Sequence, residues 1–193
     1  MKNKQPIYVA YHINKEQIQE ILKKLNLKFD EKNVNNPKDN EYHVTVAFGG
    51  SLETILAKPS NNELLEEYKK FIKSDYYTAD EIQLNIVAIG KTKEGVVAFK
   101  VEYINGSKVF SSNNTPHITV YVPYGRKPFE SNNIKEEEWQ YLDEKIKVNN
   151  VILCNYYPYK GEKVILPTLE KILNNLKKDN IVKNKINVSI WLF

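Results

Sequence analysis

Two of the three histidines in this 193-residue sequence lie in the same four-residue pattern. His43 begins HVTV and His117 begins HITV, so a threonine, Thr45 or Thr119, follows each histidine two positions later. Side chains alternate across a β-strand, so each pattern predicts a strand with His and Thr on one face and two apolar residues on the other. One copy is typical of any half-buried strand, whereas two copies indicate a shared role.

Two such strands, placed side by side or across a cleft, would direct two imidazoles and two hydroxyls into one space. Histidine titrates near neutral pH, so one ring can take a proton from an attacking hydroxyl or water while the other gives one to the leaving oxygen. Hydroxyl donors and a charged ring can stabilise the charge that develops on a phosphate. The set suffices to break a phosphodiester without a metal. A ribose ester suits it, because the neighbouring hydroxyl can serve as the nucleophile or as the leaving group.

The two patterns resemble the signature of the 2H phosphoesterase superfamily, which has two His-hydrophobic-Thr-hydrophobic motifs in one bilobed domain. HVTVAFGG (43–50) is similar to the first motif of the 2′-5′ RNA ligase-like and cyclic phosphodiesterase branches. TPHITVYV (115–122), with a proline before the histidine, is similar to the second motif across the superfamily. His117 follows His43 by 74 residues, a separation expected for one motif in each lobe.

The resemblance implies an α+β, bilobed 2H phosphoesterase-like fold, in which two antiparallel sheets line a central cleft and helices pack on the outside. It implies His43 and His117 as the acid/base pair and Thr45 and Thr119 as the phosphate-binding residues. The implied reaction is hydrolysis of a 2′,3′-cyclic phosphate, or of 2′-5′ or 3′-5′ linkages, in RNA ends or in small linear or cyclic oligonucleotides. Members of the superfamily include phage proteins that degrade nucleotide immune signals, so a viral counter-defence enzyme is one alternative. Another is a nucleotide- or RNA-binding module that uses the same cleft without turnover.

Elements that could position these motifs are indicated along the rest of the chain. Runs of β-branched and aromatic residues predict strands at 6–13, 42–48, 81–90, 96–104, 117–122, 148–157 and 185–193. Apolar residues at helical spacing predict helices at 15–26, 61–73 and 167–178. Residues 139–147 fit a short helix or a strand edge, whereas 30–40 and 126–138 are polar and fit loops. Strands interleaved with helices favour an α+β fold, which we expect to be a single domain over residues 1–193.

Aromatic and basic residues near the motifs are candidate substrate contacts. Aromatic rings can stack on a nucleobase, and basic side chains can bind a terminal or neighbouring phosphate. Tyr121 is preferred among the aromatic residues because it lies two positions after Thr119 and shares the face of His117 by alternation. For each residue taken alone, packing or solvated charge is the alternative. The candidates are Tyr11, Phe48, Tyr121, Tyr124, Arg126 and Lys127.

The third histidine raises the question of a metal. His12 lies in the first predicted strand, where it could approach the cleft or be an ordinary hydrogen-bonded strand residue. A metal site would need the three histidines to converge with an acid, and no carboxylate lies at a suitable spacing. We therefore expect no metal and no other cofactor.

Composition indicates a soluble globular protein. No apolar run is long enough to cross a bilayer, and the N-terminus has no signal-peptide core. Cys154 is the single cysteine, so neither an intramolecular disulfide nor a zinc cluster is indicated. The formal net charge of +4 suits an RNA end or a small oligonucleotide but does not require one. Abundant lysine, asparagine and isoleucine favour an AT-rich genome as the cause of the lysine content, ahead of nucleic-acid binding. We expect a monomeric, stand-alone, cytoplasmic protein, in the host cytosol if it is viral.

Overall fold

The computed structural model describes residues 8–29, 42–73, 82–157 and 162–165. The predicted loop at 30–40, helix at 167–178 and strand at 185–193 lie outside the described residues. The described strands are β1 (Tyr8–Ile13), β2 (Tyr42–Phe48), β3 (Ile82–Lys91), β4 (Val97–Tyr103), β5 (His117–Tyr121), β6 (Trp139–Tyr157) and β7 (Glu162–Ile165). The α-helices are α1 (Lys15–Lys24), α2 (Leu52–Leu56) and α3 (Asn62–Lys73), and short 3₁₀ turns occur at Pro59–Asn61, Pro128–Asn133 and Glu136–Glu138.

Six strands form a closed antiparallel barrel. They follow the order β1-β2-β5-β4-β3-β6, and pairing of β1 with β6 closes the circle, while β7 adds to β6. The expectation of a bilobed α+β fold with two sheets around a central cleft is therefore wrong. The physical reason is β6, a single 19-residue strand that pairs with β3 along its first part and with β1 further on. The sequence pattern predicted two separate elements here, at 139–147 and 148–157, and therefore gave no indication that one strand closes the barrel.

The main hydrophobic core joins one face of the strands to the helices that pack on it. Val44 on β2 and Ile118 on β5 are both 0% exposed, and Phe99 on β4 packs in the same cluster. The helices cover the barrel with apolar side chains that include Ile18 of α1 and Leu52 of α2. Apolar residues at alternate positions of the motif strands thus turn the intervening polar residues away from the core.

The helices largely follow the predicted pattern. Those predicted at 15–26 and 61–73 are confirmed as α1 and α3, whereas α2 was not predicted. Asn14 caps α1 by accepting a hydrogen bond from the Glu16 backbone N–H at 2.8 Å. In the described part of the chain, no helix has the length and apolar character needed to span a membrane.

A second, smaller apolar cluster lies on the sheet face opposite the core. It joins Ala98 of β4 to Ile134, which follows the Pro128–Asn133 turn, and to Trp139 at the start of β6. Gly90 on β3 pairs with Trp139 across the sheet, and a Cβ there would lie 2.5 Å from a Trp139 ring carbon. Only a glycine leaves room for this ring, which anchors the segment that follows β5.

Candidate active site

The register between β2 and β5 brings the two motifs together crosswise. Val44 pairs with Ile118 in an antiparallel ladder. One residue to either side, His43 therefore lies opposite Thr119 and Thr45 lies opposite His117. Because Val44 and Ile118 point into the core, the four polar side chains share the other face. They line one cavity of about 110 Å³, and their catalytic roles stay a prediction.

A β-bulge in β2 adds an aromatic side chain to this cavity. The pairing of β2 with β1 shifts just after Thr45, where Val46 is the extra residue. An extra residue reverses the alternation beyond it. Ala47 therefore faces the core, at 3% exposure, and Phe48 lines the cavity beside His43, at 58% exposure.

β5 has the equivalent bulge at Val120, where its pairing with β4 shifts after the motif threonine. The reversal turns Tyr121 to the core side, where it stacks on Phe29 with ring centroids 4.5 Å apart. Val122 takes the cavity side instead. The expectation that Tyr121 shares the face of His117 is corrected, because alternation counted along the sequence does not survive the extra residue.

Both ring nitrogens of His117 are hydrogen-bonded. Nδ1 lies 2.7 Å from the Thr115 carbonyl oxygen, and because a carbonyl can only accept, the proton of the neutral ring is held on Nδ1. Nε2 lies 2.8 Å from Ser131 Oγ. Burial lowers the pKa of His117 below its ordinary value, although the bond to Thr115 opposes the shift. The site thus favours a neutral ring whose only titrating nitrogen is Nε2.

Ser131 was not predicted from the sequence. It lies in the Pro128–Asn133 turn, is 2% exposed and lines the cavity. Its Oγ lies 2.8 Å from Thr119 Oγ1 and 2.7 Å from the Pro128 carbonyl oxygen, in addition to its contact with His117. A serine in a charged, polar segment carries no signal of its own, and only the tertiary structure brings it to the motif.

Aromatic neighbours position His43. Its ring stacks on Tyr8, with centroids 5.1 Å apart and planes 24° apart, and Tyr8 also contacts Phe48. His12 pairs with His43 across β1 and β2, with ring centroids 5.7 Å apart. His12 is buried and does not line the cavity, so the structure places it beside His43 and not in the cavity. Among the described residues, no three His, Cys, Asp or Glu side chains are grouped so that they could hold a metal ion.

Two of the remaining aromatic candidates lie away from the cavity. Tyr11 is 0% exposed, and its hydroxyl lies 3.0 Å from that of Tyr103. Its proposed contact with substrate is therefore corrected, since β1 turns this side chain into the core. Tyr124 is 81% exposed and does not line the cavity.

The basic candidates also lie outside the cavity lining. Arg126 makes an ion pair with Glu130 at 2.6 Å, which ties it to the Pro128–Asn133 turn. The Lys127 ammonium lies 5.8 Å from the centre of the Phe129 ring. Phe129 itself was not predicted, yet it lines the cavity and is 59% exposed. The turn therefore contributes an aromatic side chain where the sequence suggested cations.

Comparisons with known proteins agree with the motifs. The sequence matches the family described as fungal tRNA ligase phosphodiesterase domain over residues 1–162. The fold is similar to a crystal structure of a fungal RNA kinase, with a TM-score of 0.50, 15% sequence identity and 81% of this chain covered. The match spans 47% of that kinase chain, so this chain corresponds to about half of its length, and at this identity the likeness concerns the fold alone. No curated protein matches the sequence.

Proposed function

We propose that this protein is a metal-independent phosphodiesterase that acts on RNA ends. The chain belongs to the fungal tRNA ligase phosphodiesterase domain family, which is part of the 2H phosphoesterase superfamily. The observation that carries the proposal is the crosswise register, which brings both histidines and both threonines to one cavity. Two imidazoles and two hydroxyls meet the needs of acid/base cleavage at a phosphate.

His117 is the general base in this proposal. Its Nδ1–H is held by Thr115, and its neutral Nε2 can accept the proton of a water that attacks phosphorus. As the new P–O bond forms, the bond to the leaving ribose oxygen breaks and His43 donates a proton to that oxygen. Thr45 and Thr119 hydroxyls donate to the non-bridging oxygens, whose charge grows in the transition state.

The rim of the cavity suits a nucleobase. Phe48 and Phe129 both line the cavity, yet more than half of each side chain is exposed, so packing does not account for them. A base stacked on such rings gains affinity with little dependence on its identity. We therefore favour a nucleotide or RNA end with a 2′,3′-cyclic phosphate as the substrate.

The acid side of the pH profile follows from the environment of His117. A general base must be unprotonated, and burial lowers the pKa of His117 below its ordinary value of 6.5, so more than half of the rings are neutral at pH 6.5. We expect the acid-side decline of kcat/KM to be centred below pH 6.5, as His117 becomes protonated. Initial rates on adenosine 2′,3′-cyclic monophosphate from about pH 4.5 to 8 measure this, because kcat/KM reports the free enzyme. A decline centred above pH 6.5 would assign the base to another group.

A substrate panel in excess chelator tests the function itself. It should contain an RNA with a 2′,3′-cyclic phosphate end, 2′-5′ oligoadenylate, and cyclic di- and trinucleotides. We expect ring opening of the cyclic phosphate to a monophosphate, at the same rate with and without EDTA. Cleavage of the cyclic oligonucleotides or of oligoadenylate in preference would favour a counter-defence role. Recovery of every nucleotide unaltered would refute the phosphodiesterase and support a binding module, and loss of activity in EDTA would refute metal independence.

A further inference from the structure

The Ser131 hydroxyl lies where the polar side chains of the second motif, His117 and Thr119, converge. Its Oγ lies 2.8 Å from His117 Nε2 and 2.8 Å from Thr119 Oγ1. These are the two atoms that the proposed function directs at a phosphate. The serine oxygen thus lies where a phosphate oxygen would have to bind to contact both.

The hydrogen-bonding capacity of His117 Nε2 is used up by this contact. An imidazole nitrogen forms one in-plane hydrogen bond, and Nδ1 is already bonded to Thr115. The single Ser131 hydroxyl proton is donated to the Pro128 carbonyl oxygen at 2.7 Å, so Nε2–H of the charged ring can donate to Ser131 Oγ. When the ring is neutral, the hydroxyl can donate to Nε2 only by turning this proton away from Pro128 O. In either state the Ser131 oxygen occupies the position 2.8 Å from Nε2, so His117 cannot exchange a proton with a substrate until the serine side chain moves.

A polar space next to the site can receive the hydroxyl. Ser131 and His117 lie on the wall between the catalytic cavity and a second cavity of about 270 Å³. Asn113, Asn114 and Thr115 line the second cavity and offer hydrogen-bonding partners. A serine hydroxyl moves between staggered positions by rotation about χ1 alone, without a change in the backbone.

The backbone of the turn has anchors that do not depend on the serine hydroxyl. The Glu130 carboxylate accepts a hydrogen bond from the Lys127 N–H at 3.0 Å and pairs with Arg126. Ile134 packs against Trp139 just after the turn. The turn can therefore keep its place while the Ser131 side chain rotates.

We propose that Ser131 is a gate in the phosphate site. In the free protein its hydroxyl occupies the position that a phosphate oxygen would take, and the substrate displaces the hydroxyl into the second cavity. The inference rests on the proposed function, because it names the residue that competes with the phosphate at that site. Ser131 sets the affinity for phosphoryl groups and does not react with them. Removing its hydroxyl should therefore strengthen the binding of phosphoryl groups.

Ser131→Ala tests the gate with a ligand that needs no turnover. Inorganic phosphate is titrated into the protein while the ring signals of His117 are followed by NMR. We expect the dissociation constant to fall about fivefold in the variant, the size of one net hydrogen bond. KM for adenosine 2′,3′-cyclic monophosphate should fall by a similar factor. Ser107→Ala, at an exposed serine outside both cavities, is the matched control and should behave as wild type.

Equal or weaker phosphate binding by Ser131→Ala overturns the gate. A fall in kcat at unchanged affinity also overturns it, and makes the serine a proton relay. Thermal unfolding shows whether the variant is folded, and Ser131→Gly is the second variant if it is not. The phosphate titration is independent of cleavage, so a protein that binds phosphate more tightly without Ser131 but leaves the whole panel intact refutes the proposed function and not the gate.

Discussion

Replacing His117 with alanine should lower kcat for phosphodiester cleavage about a thousandfold, within the range that general acid–base catalysis contributes. The variant removes the Nε2 base and leaves His43, Thr45 and Thr119 in place on their strands. Residual turnover should come from these groups and from substrate binding. Initial rates on adenosine 2′,3′-cyclic monophosphate, at saturating substrate, measure the loss.

His43→Ala should cause a loss of similar size, since the proposed step needs both a proton acceptor and a proton donor. Groups that act as a unit are not additive, so the double variant should be little worse than either single variant. Thermal unfolding must show that each variant is folded, and the surface variant Ser107→Ala supplies the reference rate. Wild-type turnover in either folded histidine variant would exclude the proposed chemistry.

Gly90→Val should destabilise the protein by about 2–3 kcal/mol, as overpacking of a filled site does. The new Cβ would meet Trp139 ring carbons at 2.5 and 2.6 Å and Ile134 Cγ2 at 2.7 Å, distances at which one group must move. Trp139 and Ile134 are both nearly buried, so neither has free space. Chemical denaturation gives the change in the free energy of unfolding. Displacement of Ile134 should also shift the adjoining turn and raise KM.

Lys91→Val is the matched control for Gly90→Val, because it introduces the same side chain at the next, exposed position of β3. It should change the free energy of unfolding by less than about 0.5 kcal/mol, as surface substitutions do. The cost of Gly90→Val should also shrink in a Trp139→Ala background, where the ring is absent. An undiminished cost there would place the strain in the backbone and not at the ring.

The resemblance to the 2H phosphoesterase superfamily depended on the two motifs and is confirmed by the family match. Alternation within each motif also predicted correctly that His43 and Thr45 share a face, as do His117 and Thr119. Such patterns are local, because a strand with one buried face needs apolar side chains at every second position. They remain valid as long as the ladder is regular.

Alternation failed just beyond each motif, where the bulges lie. Strict alternation predicts Tyr121 in the cavity, whereas the structure packs this side chain against the core. The candidate Phe48 does line the cavity, because the bulge in β2 turns it there. A bulge depends on the partner strand, because two residues of the bulged strand lie opposite one residue of the partner. β1 ends at Ile13 and β4 ends at Tyr103, well before the motif strands begin at Tyr42 and His117, so no local pattern reports the shift.

The sequence by itself determined the chemical groups of the candidate site, which are two imidazoles and two hydroxyls, with each His and Thr pair on one strand face because side chains alternate. Only the tertiary structure decided how that chemistry is assembled. Closure of the barrel depends on the long β6, whose backbone pairs with β3 and with β1. Both pairings join residues that are far apart in sequence. The position of Ser131 depends on Trp139 packing against Gly90, which holds the turn over motif two. Pairing and packing between distant segments are properties of the folded chain, and for that reason the gate residue has no signature in the sequence.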